Sequence, residues 1–242
     1  MHREKIQFSA GMALIDGTFA IPATGVPGIL FLHGWSGSQE SDLKRAAEIA
    51  GLGALCLTFD LRGHAATRAM RESVTPRQNF EDALAAYDRL ASQPMVDKKS
   101  IAVIGTSYGA YIAPLLADER PVRWMSMRAP AIYRDQHWEK PKAKIDRLDL
   151  TLFRSQQLGP AENQALGACA VFRGDVLIVE SERDDYIPHA TIANYLAAFR
   201  SAHSLTYRVI SGADHGLSDE RCDAAYTSLL ENWVKEMIVG AR

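Results

Sequence analysis

Short, wholly apolar runs recur along the chain, and segments with a helical spacing of apolar residues separate them. A run that is apolar at almost every position is typical of a strand buried on both faces of a parallel sheet. The intervening segments supply the helical crossovers that such a sheet needs. The runs lie at residues 28–32, 54–59, 101–104, 122–127, 176–179 and 205–210. The pattern predicts an α/β protein built on a mostly parallel sheet.

Two further strands are predicted at the amino-terminal end. Residues 6–9 and 12–21 show short alternating segments, with Gly11 and Gly17 as turn residues, and this is typical of an antiparallel edge. Together with the six runs they give a sheet of eight strands. No internal repeat or low-complexity tract interrupts the sequence, so we expect one domain over residues 1–242.

One helix start is indicated by local chemistry. Thr75 precedes Pro76 and Gln78. A threonine at the cap, a proline at the first helical position and a glutamine three residues after the cap form a capping box. We therefore predict a helix that begins at Pro76.

The composition is that of a globular protein without a strong electrostatic field. Of the 242 residues, 47% are hydrophobic and 23% are charged, and the formal net charge is −2. This balance supports one large core. It provides no basic surface for nucleic acid and no polybasic patch for a membrane. Because residues 1–5 are charged and no apolar run reaches about 18 residues, we expect a cytoplasmic protein.

The cysteines suggest neither disulfides nor a metal site. Cys56, Cys169 and Cys222 show no paired framework and no metal-ligand spacing. We interpret them as reduced, mostly structural thiols and expect no metal. Since Cys222 lies near His215 in the sequence, a minor role for its thiol stays open.

A pentapeptide of the form Gly-x-Ser-x-Gly follows the apolar run 101–104. It comprises Gly105, Thr106, Ser107, Tyr108 and Gly109, and a helical segment follows it. A serine on such a tight strand-to-helix turn crowds the positions two before and two after it, so glycine is needed there. The turn exposes the hydroxyl at the free N–H groups of a helix, which favour the negative charge that develops in acyl transfer. Ser107 is therefore the predicted nucleophile.

Two partners for the serine follow later in the chain. A serine hydroxyl needs a histidine to accept its proton and a carboxylate to orient that histidine, in the chain order serine, acid, histidine. We take Asp184, in the polar loop after the run 176–179, as the acid, and His215, in the loop after the run 205–210, as the base. Four other carboxylates stay open as the acid, with Asp185 first, and then Glu180, Glu182 and Asp214.

Acyl transfer also needs two backbone N–H donors that bind the developing oxyanion. Tyr108, directly after the nucleophile, supplies the first, and Trp35, in the loop after the run 28–32, would supply the second. Gly34 would let that loop turn close to the substrate. We interpret His33 as a structural hydrogen-bonding residue, and a purely packing role for Trp35 stays open.

Together these motifs resemble the α/β-hydrolase superfamily over nearly the full length of the chain. The segments that carry the resemblance are residues 33–34, 60–64, 105–109, 184–188 and 214–216. The elbow looks most like that of prolyl-oligopeptidase-type and dienelactone-hydrolase-like members, and the segment 212–215 resembles small bacterial esterases. The resemblance implies the α/β-hydrolase fold, with its mostly parallel eight-stranded sheet, and a metal-independent serine hydrolase.

The chain departs from these relatives in three respects. With 242 residues it has no room for the propeller domain of the oligopeptidases, and Ser107 stands where dienelactone hydrolases use cysteine. Ala65 replaces a usual glycine, and Pro114 falls in the helix after the elbow, which it should bend. Neither of the last two touches the predicted catalytic groups.

Residues 131–167 form a long insert after the sixth predicted strand. The insert contains Tyr133, Trp138 and Phe153 and a basic run at 140–144. In the superfamily an insert at this place commonly forms a lid, and loops of this kind determine specificity. We expect the three aromatic residues to help form an acyl or aryl pocket. The alternative is a pair of amphipathic helices packed on the edge of the sheet.

The sequence thus predicts a serine hydrolase that cleaves a small-molecule carboxylic ester and needs no cofactor. Thioesterases, amidases or small peptidases, and dienelactone-type hydrolases use the same machinery, so these activities stay open. A hydrolase-like chain can also serve as a non-catalytic binding protein. We expect no nucleic-acid partner and no membrane partner, and self-association into a homodimer stays open.

Overall fold

The computed structural model describes residues 2–21 and 27–240, which contain one sheet of eight strands. Residues 1, 22–26 and 241–242, which the expected domain includes, lie outside the described residues. The strands are β1 His2–Ala10, β2 Ala13–Ile21, β3 Gly28–Leu32, β4 Leu55–Phe59, β5 Ile101–Thr106, β6 Trp124–Arg128, β7 Asp175–Arg183 and β8 Ser204–Asp214. Their order in the sheet is β1-β2-β4-β3-β5-β6-β7-β8.

The sheet is parallel except at its amino-terminal edge. β1 pairs antiparallel with β2, and β2 pairs antiparallel with β4. The prediction of a turn at Gly17 is wrong, because this glycine lies inside β2, opposite Ile6 on one side and Phe59 on the other. A Cβ at Gly17 would lie 3.2 Å from the carbonyl oxygen of Thr58. The glycine therefore permits close pairing of β2 with β4 and does not reverse the chain.

Helices cover both faces of the sheet. Within the described ranges the α-helices are α1 Glu40–Gly51, α2 Pro76–Ala91, α3 Tyr108–Glu119, α4 Arg147–Arg154, α5 Gln164–Val171, α6 His189–Ala198 and α7 Glu220–Gly240. One hydrophobic cluster joins the sheet to α2, α3, α5 and α6, and a second joins it to α1 and α7. Among the helices described, none combines the length and the apolar character that a membrane crossing requires.

The local signals in the sequence act where they were expected. The capping box is confirmed: Gln78 N donates to Thr75 Oγ1 at 3.3 Å, and Thr75 N donates to Gln78 Oε1 at 3.0 Å. Helix α3 continues through Pro114 to Glu119. The proline therefore does not end the helix that follows the elbow.

The central strands end at a common edge of the sheet. Leu32 of β3 lies opposite Gly105 of β5, Thr106 lies opposite Arg128 of β6, and Arg128 lies opposite Val179 of β7. Because these strands are parallel, the segments that follow them converge at this carboxyl edge. The insert 131–167 also leaves the sheet here, and it contains the 3₁₀ turns Asp135–His137 and Lys142–Lys144, helix α4 and the start of α5.

Candidate active site

Ser107 lies at the carboxyl edge, on the turn between β5 and α3. Its backbone has φ 52° and ψ −108°, a strained conformation for a residue with a side chain. The flanking glycines are required by space. A Cβ at Gly105 would lie 2.6 Å from Ala110 Cα, and a Cβ at Gly109 would lie 2.0 Å from the carbonyl oxygen of Leu32.

Backbone hydrogen bonds hold this strained turn from both sides. Ser107 N donates to the carbonyl oxygen of Arg128, at the end of β6, at 2.8 Å. The carbonyl oxygen of Ser107 accepts from Tyr111 N in α3 and from Ala131 N in the insert, both at 3.1 Å. The surrounding structure thus fixes the backbone of the elbow. A strained conformation persists only where its surroundings hold it in this way.

A chain of hydrogen bonds joins Ser107 to a histidine and an aspartate from two other loops. Ser107 Oγ lies 3.0 Å from His215 Nε2, and His215 Nδ1 lies 2.7 Å from Asp184 Oδ2. An ionised carboxylate can only accept, so Nδ1 carries the proton and Nε2 has a free lone pair for the serine hydroxyl. The structure therefore brings together the three residues that the sequence singled out.

The Asp184 carboxylate is buried, and both of its oxygens accept hydrogen bonds. Its side chain is 3% exposed, and its Oδ1 accepts from Tyr186 N at 2.9 Å and from Ile187 N at 2.8 Å. Burial by itself would raise the pKa of Asp184. The hydrogen bond and charge of His215, together with the two N–H groups, outweigh burial and hold this pKa below its ordinary value. Asp184 is therefore ionised at neutral pH.

None of the other four candidate acids forms a hydrogen bond with the His215 ring in the described structure. Three of them accept hydrogen bonds from different residues, and the fourth is exposed to solvent. They are Glu180 with His189, Glu182 with Gly212, Asp214 with Ser218, and the exposed Asp185.

The loop after β3 is held by two buried histidines. His33 Nδ1 donates to the carbonyl oxygen of Gly34 at 2.7 Å, and His33 Nε2 accepts from Leu61 N at 3.0 Å. Burial, aided by the neighbouring His64, lowers the pKa of His33 to about 4. The imidazole is thus neutral, in agreement with a structural role. His64 Nε2 in turn donates to the carbonyl oxygen of Trp35 at 2.5 Å.

The hydrogen bond from His33 to the Gly34 carbonyl fixes the orientation of the peptide that carries the Trp35 N–H. The carbonyl of Gly34 and the N–H of Trp35 belong to one planar peptide and point in opposite directions. The same carbonyl also accepts from Gly37 N at 2.9 Å. A Cβ at Gly34 would lie 3.4 Å from Ser107 Cβ, so this peptide passes close to the serine. The N–H of Tyr108 belongs to the first residue of α3, where a helix has no internal acceptor.

The three aromatic residues expected in a pocket lie in different surroundings. Tyr133 is buried beside the elbow, with its ring centroid 5.5 Å from that of Tyr108. Trp138 packs on Phe80 of α2, at 5.5 Å. Phe153 is buried beneath an arginine side chain of the insert. The structure thus brings Tyr133, but not Trp138 or Phe153, into contact with an elbow residue.

Sequence reasoning missed the cations near the candidate site, among them Arg128 and Lys142. Arg128, the last residue of β6, is 5% exposed, and its Nη1 donates to the carbonyl oxygen of His215 at 2.9 Å. Its position at the end of a central strand was the available signal. Lys142, from the basic run of the insert, lies over the rings of Trp35 and Tyr108. Nothing local distinguishes it from the lysines beside it.

The cysteines are free and buried. Cys222 Sγ lies 3.8 Å from the carbonyl oxygen of Ser211, and burial raises the pKa of Cys56 and Cys169 far above the ordinary value for a thiol. A buried thiol with a raised pKa is unreactive. The reduced, structural interpretation therefore fits Cys56 and Cys169.

Known proteins share this fold. The dienelactone hydrolase from Anabaena variabilis superposes with a TM-score of 0.68 at 19% identity, over 96% of each chain. An esterase from Pyrococcus furiosus superposes with a TM-score of 0.72 at 16% identity, over 98% of this chain and 93% of that one. At these identities the likeness shows the fold alone, and the expected α/β-hydrolase fold is confirmed.

Relatives are also found by sequence. An uncharacterized protein of Mycobacterium tuberculosis (strain ATCC 25618 / H37Rv) is 27% identical over 191 residues, which cover 78% of this chain and 63% of that protein. The match thus spans less than two thirds of the relative. The model of the alpha/beta hydrolase family matches residues 29–227. Because this match covers more than half of the chain, the chain belongs to the alpha/beta hydrolase family.

Proposed function

We propose that the protein is a serine hydrolase that cleaves carboxylic esters, with Ser107 as its nucleophile. The observation that carries the proposal is the hydrogen-bonded chain from Asp184 through His215 to Ser107, whose contacts of 2.7 and 3.0 Å lie within proton-transfer range. The fold is shared with an esterase and a dienelactone hydrolase. Both names denote hydrolysis of an ester or lactone bond, which favours the same chemistry here.

In the first half-reaction Ser107 Oγ attacks the ester carbonyl while His215 Nε2 accepts the hydroxyl proton. Asp184 stabilises the imidazolium that forms, and it remains ionised because its own pKa is lowered. The tetrahedral intermediate then collapses. His215 donates its proton to the leaving alcohol, and the acyl group stays on Ser107.

In the second half-reaction water takes the place of the alcohol. His215 accepts a proton from the water, which attacks the acyl-enzyme and releases the acid. In both halves the N–H groups of Tyr108 and Trp35 would bind the oxyanion. One such donor is worth about 3 to 4 kcal/mol of transition-state stabilisation, so a rigid Gly34-Trp35 peptide would matter for the rate.

Labelling by a fluorophosphonate probe tests the nucleophile. The wild-type protein should react once per chain, at Ser107, and Ser107→Ala should neither react nor hydrolyse p-nitrophenyl acetate. Ser92→Ala is a matched control, because this serine is exposed at the end of α2 and bonds only to its own helix. Labelling of folded Ser107→Ala, or no labelling and no hydrolysis by the wild type, would contradict the proposal. The second result would favour a non-catalytic binding protein.

The bond that is cleaved is tested with a substrate panel. Aryl, short-chain and hydroxycinnamoyl esters should give higher kcat/KM than acyl-CoA thioesters and aminoacyl amides. A thioester or amide that exceeds every ester would redefine the enzyme as a thioesterase or amidase. The roles of Ser107, His215 and Asp184 would then be unchanged.

A further inference from the structure

The Lys142 ammonium group lies among three aromatic rings beside the candidate site. Its Nζ is 4.8 Å from the ring centroid of Trp35, 4.8 Å from that of Tyr133 and 5.5 Å from that of Tyr108. Aromatic faces attract a cation. The backbone is held as well, since Lys142 N donates to the carbonyl oxygen of Val74 at 2.8 Å. The end of this side chain is therefore placed beside the two residues that would bind the oxyanion.

The Lys142 ammonium group is half-buried and donates no hydrogen bond to a described residue. A lysine has three N–H donors, yet within the described ranges no carboxylate or carbonyl oxygen accepts from Lys142 Nζ. The rings compensate part of the lost hydration but supply no anion. Lys140 and Lys144, which flank it in the same basic run, are exposed to water. Lys142 alone of the three turns toward the elbow.

Two arginines contact the same rings. The Arg71 guanidinium lies 4.6 Å from the Trp35 ring and donates to the Trp35 carbonyl oxygen at 3.0 Å. The Arg154 guanidinium lies 5.2 Å from the Tyr133 ring and donates to the carbonyl oxygen of Tyr186 at 3.0 Å. Arg154 is only 8% exposed, and its Nε has no hydrogen-bond partner among the described residues.

The cations around these rings have no carboxylate partner. Within the part of the chain that the structure describes, none of these three cations forms an ion pair with a carboxylate. Elsewhere in the insert Arg134 pairs with Asp149 at 2.9 Å, and in the core Arg62 pairs with Asp82 at 2.7 Å. Of the three only Arg154 is buried, and a buried cation without a partner is costly. A bound anion would offset that cost.

We propose that Lys142, Arg154 and Arg71 bind a carboxylate carried by the substrate, so that the enzyme prefers acidic esters over neutral esters of the same size. The proposal rests on ester hydrolysis at Ser107. The aromatic rings would contact the apolar part of such a substrate, and the cations would bind its charged end. The preferred class is then the monoester of a dicarboxylic acid, or the ester of a carboxylate-bearing alcohol or phenol.

Two matched pairs of esters test the preference on both sides of the scissile bond. p-Nitrophenyl hemiadipate is compared with p-nitrophenyl hexanoate, and 4-acetoxybenzoate with phenyl acetate. In at least one pair the wild type should favour the acidic ester by tenfold or more in kcat/KM. Lys142→Met should lower that ratio at least tenfold, and Lys142→Arg should keep most of it. Lys144→Met, the matched control from the same basic run, should keep the wild-type ratio.

Other outcomes overturn the proposal. If neither pair favours the acidic ester, or if Lys142→Met leaves the ratio unchanged, the three cations have a structural role. If Lys142→Met instead creates a preference for butyrylcholine over a neutral ester, the rings form a site for a cationic group that Lys142 occupies.

Raising the salt concentration should reduce the wild-type preference for the acidic ester, because salt screens the attraction between the charges.

A binding measurement separates this proposal from the proposed function. Ser107→Ala protein is titrated with monomethyl adipate by calorimetry, with and without Lys142→Met. We expect binding that weakens at least tenfold when Lys142 is replaced. Lys142-dependent binding without any ester hydrolysis by the wild type would refute the esterase and keep the anion site. Hydrolysis of neutral esters without Lys142-dependent binding would support the esterase and refute the anion site.

Discussion

If Ser107 is the nucleophile as proposed, replacing Asp184 by asparagine should strongly lower the activity, for a reason that the hydrogen bonds of Asp184 define. The backbone N–H groups of Tyr186 and Ile187 both donate to Asp184 Oδ1. In Asp184→Asn the amide oxygen must stay at that position to accept these two bonds. The amide nitrogen then takes the place of Oδ2 and faces His215 Nδ1, where it can only donate.

The imidazole must adopt the other tautomer to accept that bond. His215 Nδ1 becomes the acceptor, Nε2 carries the proton, and Nε2 can no longer take the proton of Ser107. The same substitution in a serine protease triad lowers kcat by about 10⁴-fold through the wrong tautomer. We expect a loss of about 10³- to 10⁴-fold in kcat/KM here, equal to roughly 4 to 5.5 kcal/mol.

The assay is steady-state hydrolysis of p-nitrophenyl acetate together with the rate of fluorophosphonate labelling. Asp185→Asn is the matched control, since this neighbouring carboxylate is exposed, and it should stay within about threefold of wild type. Circular dichroism and thermal unfolding establish that both variants are folded. A folded Asp184→Asn that keeps more than a tenth of the activity, or a crippled Asp185→Asn, would refute the reasoning.

Three further predictions concern the elbow, the histidine loop and a remote carboxylate. Gly109→Ala should lower the free energy of unfolding by about 3 kcal/mol, because its Cβ would lie 2.0 Å from a backbone carbonyl oxygen. Gly51→Ala, whose Cβ would have no atom within 4 Å, should leave the free energy of unfolding in urea nearly unchanged. Arg128→Met removes a charged hydrogen bond to the His215 carbonyl, so kcat should fall by about 10- to 100-fold with a smaller change in KM. Arg128→Lys should recover part of the lost kcat. An unchanged kcat in Arg128→Met would contradict a positioning role. Burial raises the pKa of Asp42 to about 6, so ionisation of this carboxyl destabilises the fold as the pH rises from about 4 to 6. At pH 8 the free energy of unfolding of Asp42→Asn should therefore exceed that of wild type by up to about 3 kcal/mol. Below about pH 4 the two proteins should be equally stable.

Features that depend on neighbours in the chain could be predicted from the sequence. The glycines of the elbow are required by the turn itself, and the capping box at Thr75 joins residues only three positions apart. Apolar runs gave the strands of the sheet because burial on both faces requires them. Ser107, Asp184 and His215 could be predicted to lie close together although they are far apart in the sequence, because each follows a strand and parallel strands end at one edge.

Features that depend on contacts between distant segments could not be predicted in this way. Gly17 has the local character of a turn residue, and only its pairing with β4 shows why a strand needs glycine there. The choice of Asp184 over Asp185 depends on which carboxylate meets the His215 loop.

Lys142 is the clearest example of a feature that the sequence does not predict. Three lysines alternate in the basic run, and each is an ordinary surface residue by sequence. Their difference arises from rings that come from the loop after β3, from the elbow and from the start of the insert. The proposed machinery at Ser107 would serve many acyl substrates, so selectivity among them would come from such long-range contacts. On the proposal made for Lys142, the substrate class depends on the cations around the elbow, and the nucleophile motif does not determine where those cations lie.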